Sequence, residues 1–255
     1  MQNALTIERA EPGTRPLAVS DLGMIDYGEC WDLQRELVAR RTDGRFPDTL
    51  LLLEHPHTFT CGRRGGRVHI LASQEELEER GVVVLDVDRG GDVTYHGPGQ
   101  LVAYPILNLA EHAVGRDFHA YVRGLEQVLI DTLAHFAITA QRLEGFSGAW
   151  AVGDGHAEKL AAIGVKVDGR SITSHGIALN VTTDLSYFDL IVPCGIDDKG
   201  VTSMERLLPE TPTMGEAKTI FAEAFGRVFG FSVMESAPSL SAEFDYPLSR
   251  LYNTI

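Results

Sequence analysis

Short apolar runs follow one another along this chain more often than they alternate with helical segments, which favours an α+β sheet with helices on one face over a doubly wound sheet. Strands are expected at 49–53, 82–87, 149–152, 160–167 and 176–181. Residues 101–107 contain Pro105, which has no backbone N–H to give to a ladder, so this run is expected at a sheet edge or at a bulge. Helical spacing of Trp31, Leu33, Leu37 and Val38 predicts a helix over about 29–41, ended by Asp43-Gly44. Ser73 with Glu76 forms a capping-box pattern for a short charged helix that stops at Gly81. The longest helix starts at an Asp117 cap and carries Phe118, Tyr121, Val122, Leu125, Val128, Leu129, Leu133 and Phe136 on one face. Two more helices are expected, a short one after Ser203 and one over about 215–229; the tail after Pro238 has no pattern.

At 255 residues with 44% apolar content the chain is large enough for a full core. Its net charge of -14 argues against nucleic-acid binding, which rests on clustered Lys and Arg. Cys30, Cys61 and Cys194 are widely spaced and lack a Cys-x-x-Cys pair, so neither a disulfide framework nor a thiolate zinc site is indicated and a reducing cytoplasm is expected. No signal-peptide core and no apolar run of about 20 residues is present, so no membrane association is expected.

Chemistry concentrates in three places. Cys194 ends the run Phe188-Asp-Leu-Ile-Val-Pro-Cys-Gly, where Pro193 and Gly195 bring the sulfur to a turn, the setting of a nucleophile. A thiol is only a few per cent thiolate at neutral pH and needs a nearby cation or base; Lys159, opening Lys-Leu-Ala-Ala-Ile-Gly-Val, is the candidate. The second place is Arg89-Gly-Gly-Asp-Val-Thr-Tyr-His-Gly-Pro-Gly-Gln, with glycine at four of twelve positions. Backbone amides there can approach a ligand closely, and Arg89, Tyr95 and His96 are costly groups to place in a plain hairpin. It is neither a P-loop nor a dinucleotide fingerprint. The third is Ser174-His175-Gly176-Ile-Ala-Leu-Asn180, in which His175 reads as a backbone cap or hydrogen-bonding group and Asn180 as a buried brace for a neighbouring loop.

Taken with Leu53-Glu-His-Pro, Thr60 and Gly62-Arg63, and with Thr202-Ser203 after the Cys194 run, these segments in this order resemble the octanoyltransferase family. The resemblance implies the fold of the lipoate and biotin ligase catalytic domains, a mixed, largely antiparallel sheet flanked by helices. On that basis 15–236 is a single catalytic domain between an N-terminal tail, 1–14, and a C-terminal tail, 237–255. It also implies octanoyl transfer from octanoyl-acyl carrier protein, through a Cys194 thioester assisted by Lys159, to a lysine of lipoyl domains in 2-oxoacid dehydrogenase complexes and the glycine cleavage H protein. No cofactor is implied, since the acyl group arrives on the carrier's phosphopantetheine arm. Substrate contacts carry over to Arg89, Gly90, Gly91, Asp92, Val93, Thr94, Tyr95 and His96, to Ala162, Ile163 and Gly164, and to Gly176, Ile177 and Ala178. Two positions depart from the family's pattern: Cys61 stands where a small or apolar residue is expected, and Glu158, beside Lys159, where a basic one is common and could moderate its charge.

Carrier proteins and lipoyl domains are typically acidic, so a chain of charge -14 needs local cations to receive them; Arg63, Arg64 and Arg67 form the dense basic cluster. Two other readings differ in class. An ATP-dependent lipoate-protein ligase would use the glycine loop and Lys159 on an acyl-adenylate, with Cys194 structural. A metal-binding module would use His55, His57 and Cys61, but it has no evident fourth ligand in sequence.

Overall fold

The computed structural model describes residues 15–153, 156–192 and 199–234. The chain opens with β1 (Arg15–Met24), helix α1 (Tyr27–Thr42) and β2 (Thr49–Glu54). It continues through β3 (Thr58–Cys61), α2 (Gln74–Glu79), β4 (Val83–Asp86), β5 (Thr94–His96) and β6 (Gln100–Ile106). Helix α3 (Phe118–His135) precedes three strands that run up and back, β7 (Gln141–Leu143), β8 (Phe146–Gly153) and β9 (His156–Val167), followed by β10 (Thr173–Asn180). The last described elements are β11 (Gly200–Val201), α4 (Met204–Leu207), α5 (Met214–Phe229) and β12 (Phe231–Met234).

The main sheet runs β12-β1-β2-β6-β10-β9-β8-β7 with β11 beside β9, and a small sheet runs β4-β3-β5. From β2 to β7 along the main sheet every pairing is antiparallel, while β12-β1, β1-β2, β9-β11 and β3-β4 are parallel. The mixed, largely antiparallel architecture is as the family resemblance implies, and the pattern-based expectation of helices on one face needs correction. Helices cover both faces. Leu50 and Leu52 of β2 point into a core shared with α3 and α5, whereas Leu51 and Leu53 point into a second core with α1. A strand buried on both sides carries a continuous apolar run instead of alternation, and the run of leucines in β2 is such a strand.

Residues 101–107 are also not at an edge: β6 lies between β2 and β10 in the middle of the sheet. Pro105 is tolerated because the β6-β10 ladder covers Ala103 but stops short of Pro105. On that side Thr173 spans the gap, its hydroxyl donating to the Pro105 carbonyl at 2.6 Å and accepting from the Leu107 amide at 2.8 Å. His175, with φ of +55°, sits where the ladder breaks. The apolar run before Cys194 would suit a strand, but over Leu185–Leu190 the chain forms a 3₁₀ turn, started by Asp184 accepting from the Ser186 amide. Part of the glycine loop is strand β5, antiparallel to β3. Ser73 caps α2 by accepting from the Glu76 amide, but the Glu76 carboxylate turns to Arg80. A complete capping box forms instead at Thr213 and Glu216. Phe118 lies outside the buried face of α3. The two expected tails lie outside the described residues. Among the described residues no helix is long and apolar enough to cross a membrane.

Candidate active site

The glycine loop closes over the sheet surface formed by β9, β10 and β6, leaving a cavity of about 360 Å³ between them. Arg89, 5% exposed, holds the loop's shape. Its Nη2 donates to the carbonyls of Thr60, at 2.6 Å, and Asp92, at 2.7 Å, while Nη1 donates to the Gly90 carbonyl at 2.9 Å. Amides of Gly62, Arg63 and Arg64 lace the loop to the end of β3 by donating to Asp92, Arg89 and Gly91 carbonyls. Gly164 lies beneath; a Cβ there would sit 3.0 Å from Arg89 Cδ and 3.2 Å from the Gly90 carbonyl oxygen, so a side chain would press on the arginine and its loop.

Strand alternation sorts the expected substrate residues. In β5, Thr94 and His96 reach the cavity while Tyr95 packs behind, its hydroxyl 2.8 Å from His57 Nδ1 and its ring stacked on Tyr187. Arg89, Gly91, Asp92, Val93, Ala162, Ile163, Gly164, Gly176, Ile177 and Ala178 also line the cavity; Gly90 and Tyr95 do not.

Lys159 reaches the same cavity by a local irregularity. Along β9, Ala161, Ile163 and Val165 pack into the core of α3 and α5, so regular alternation would send Lys159 that way too. The β8-β9 register skips Leu160, pairing Ala149 with Ala161 but Trp150 with Lys159. Leu160 takes the core side, and Lys159 turns to the cavity wall. Its Nζ lies 4.7 Å from the centre of the Trp150 ring, whose face attracts an ammonium group. The neighbouring Glu158 carboxylate lies over Gly200.

A chain of hydrogen bonds links the loop to the Lys159 strand and fixes one tautomer. The Thr202 amide donates to the Lys159 carbonyl at 3.0 Å. The Thr202 carbonyl is only an acceptor, so Asn180 presents its Nδ2 there, at 3.0 Å, and its Oδ1 to Gln100 Nε2, at 2.9 Å. Gln100 therefore offers Oε1 to His96, and His96 Nδ1 carries the proton of that 2.8 Å bond. Burial holds His96 neutral, far below the ordinary histidine range. Asn180 thus braces the Thr202 loop, as its buried position in sequence suggested.

The deep wall is a group of rings of which the sequence marked His55, His96 and His175 but not Tyr27 or Tyr104. His55, fully buried, has Nδ1 at 2.7 Å from the Ile25 carbonyl and Nε2 at 2.9 Å from the Tyr104 hydroxyl. The carbonyl requires a proton on Nδ1, so Tyr104 donates to Nε2. The Tyr27 hydroxyl lies 3.3 Å from His175 Nδ1, and His175 Nε2 lies 2.8 Å from Asp88. Burial pushes Tyr27 up to about 12 and His175 down. Burial opposes ionisation of Asp88, but hydrogen bonds from Lys166 and His175 outweigh it and bring its carboxyl to about 2. His175 thus hydrogen-bonds as the bland reading expected, and it also lines the cavity.

Burial takes His55 from 6.5 to about 4, so the unfolded chain binds a proton there that the folded chain refuses. Stability should fall as pH drops from 6.5 towards 4, by about 3 kcal/mol from this site. Urea denaturation at a series of pH values checks this: the His55→Gln variant should lose that part of the slope, and an unchanged slope would clear His55 of the role.

Cys194 lies outside the described residues. Its flanks are described: Phe188 and Val201 both line the cavity, and Val201 pairs with Lys159. Arg63 and Arg64 are exposed, Arg64 at the cavity wall, whereas Arg67 pairs with Asp86 at 3.1 Å. Cys61 is buried in β3, and burial raises its thiol pKa. Both ring nitrogens of His55 are in hydrogen bonds, and among the described residues no group of three or more His, Cys, Asp or Glu is placed to hold a metal.

Residues 26–226 match the family model of the lipoyl protein ligase A/B catalytic domain. An octanoyltransferase of Chloroflexus aggregans is 53% identical over 202 residues, covering 79% of this chain and 90% of that protein. The chain belongs to the octanoyltransferase family. A second octanoyltransferase, from Acidobacterium capsulatum, is 51% identical over 222 residues, covering 84% of this chain and 90% of that one. The fold of this octanoyltransferase is shared more widely. A bipartite lipoate protein ligase from Thermoplasma acidophilum superposes with a TM-score of 0.66 over 93% of this chain and 91% of that one, at 13% identity.

Proposed function

We propose that this octanoyltransferase receives its acyl group from octanoyl-acyl carrier protein as a thioester on Cys194 and passes it to a lipoyl-domain lysine. The observation that carries the reading is the bulge at Leu160, which turns Lys159 into the cavity beside Val201, on the strand that the Cys194 segment enters. An ammonium about 4 Å from a thiolate, at an effective dielectric of about 20, contributes roughly 4 kcal/mol before desolvation. A net gain near 2 kcal/mol lowers a thiol pKa of about 8.5 by roughly 1.5 units, making thiolate a major species at neutral pH.

In the first step the Cys194 thiolate attacks the thioester carbonyl and the carbon–sulfur bond to the pantetheine breaks, its sulfur taking a proton from Lys159. In the second the acceptor amine attacks the acyl-Cys194 carbonyl. The amide forms, the thiolate leaves, and the two protons lost from the acceptor ammonium go to neutral Lys159 and to solvent. A thioester is exchanged for a thioester and then for a more stable amide, so the reaction proceeds without ATP. The cavity, about 360 Å³, is at the small end of ligand sites and suits an acyl chain. Arg89 shapes the loop over it, and the Asn180 chain positions the strand behind Lys159. Donor arm and acceptor lysine use the same cavity in turn.

Incubating the purified protein with octanoyl-acyl carrier protein and no ATP tests this directly. Intact mass should rise by one octanoyl group, and Cys194→Ser should abolish the rise. A strict requirement for ATP would replace this reading with the ligase one.

A further inference from the structure

The segment that follows β3 and is laced to the glycine loop carries two large exposed apolar side chains and two exposed arginines. Val68 is 83% exposed and Leu71 is 64% exposed, large apolar side chains three positions apart. Solvent-facing apolar clusters of this kind commonly mark an interaction site when polar residues border them. Arg63 and Arg64 precede Val68 by five and four positions in the same segment; both are exposed and, among the described residues, neither makes an ion pair. The other adjacent arginine pair behaves differently, with Arg40 paired to Glu36 and Arg41 to Asp48 and Glu111. On a chain of net charge -14 an un-neutralised pair creates a local positive field.

The same segment is fastened at both ends to the catalytic framework. On one side the Arg63 and Arg64 amides donate to the glycine-loop carbonyls of Arg89 and Gly91. On the other the Leu71 amide donates to the Leu190 carbonyl at 2.8 Å, the Val192 amide to the His69 carbonyl at 2.8 Å, and Ile70 bridges Ile191. The surface is therefore held in register with the cavity loop and with the chain that follows the 3₁₀ turn.

We propose that Arg63, Arg64, Val68 and Leu71 form the docking surface for the acidic carrier protein that presents the acyl thioester, with the arginines steering it and the two apolar side chains seating it. This rests on the proposed thioester donor. Arg67, neutralised by Asp86, contributes less than the other two arginines.

The test compares two donors that share the reacting group, octanoyl-acyl carrier protein and octanoyl-pantetheine, in the first half-reaction followed by intact mass. Val68→Ser/Leu71→Ser and, separately, Arg63→Glu should each lower kcat/KM for the carrier by roughly tenfold or more, with octanoyl-pantetheine unaffected. Arg63→Glu should also flatten the salt dependence seen with the carrier. Equal losses on both donors, or no loss on either, would overturn the surface, and matching melting temperatures guard against misfolding. A wild-type protein that accepts neither donor without ATP would instead overturn the thioester reading and this inference with it.

Discussion

Replacing Lys159 by methionine should lower the rates of both acylation and deacylation by about 10²–10⁴-fold, the range for removing a positioned acid–base group, while leaving the fold intact. The side chain is half-buried with its stem along the cavity wall, so methionine keeps much of the packing and removes the charge. Two functions assigned to this ammonium separate in Lys159→Arg. A guanidinium would preserve the positive charge that the proposed mechanism places beside the sulfur, but it does not exchange its proton near neutral pH. The arginine variant should therefore keep a depressed thiol pKa and still transfer slowly, whereas the methionine variant should lose both properties. Alkylation of Cys194 by iodoacetamide as a function of pH, read by peptide mass, reports the thiolate directly; Cys30 and Cys61 are buried. A titration midpoint that stays in place in Lys159→Met would remove the ion-pair account and leave Lys159 as a proton carrier alone.

The difference between what the sequence showed and what it hid follows from how each feature is encoded. The glycine loop is legible because its residues are contiguous and glycine states its backbone purpose locally. Asn180 is legible for a similar reason, an amide among apolar neighbours that must find partners. Tyr27 on α1, His55 just after β2 and Tyr104 on β6 are far apart in sequence, and the packing of α1 on the sheet brings them together. The two-faced burial of β2 was present in its unbroken leucine run, whose lack of alternation already spoke against helices on one face. Pro105 misled because the edge rule concerns the missing hydrogen bond, and here the ladder is interrupted on that side of a central strand. Lys159 shows the limit most clearly: its residue type marks it as a candidate, but period-two counting would place it in the core. A bulge depends on the partner strand, and that partner is not visible from β9 alone.

That dependence makes Gly148 a position whose change should damage both the fold and the site. It lies on β8 next to Ala149, just ahead of the register skip that aims Lys159. Its φ is +118°, a conformation that β-branched residues strongly disfavour, and a Cβ there would lie 2.2 Å from the Ala161 carbonyl oxygen. Gly148→Val should therefore combine backbone strain of about 1–3 kcal/mol with an overpacking cost of about 1–3 kcal/mol. A loss of several kcal/mol is a large share of the roughly 5–15 kcal/mol that keeps a domain folded. Urea denaturation should show a much lower midpoint for Gly148→Val. Gly169→Ala, where added atoms meet open space, should stay within about 0.5 kcal/mol of the parent. If the valine variant folds, β8 must move away from β9 to relieve the contact, and the skip at Leu160 loses the partner that maintains it. Lys159 would then drift from the cavity, so surviving protein should also show the raised Cys194 thiol pKa expected of Lys159→Met. Unchanged stability in Gly148→Val would contradict the close approach of these strands and, with it, the explanation of how the lysine reaches the site.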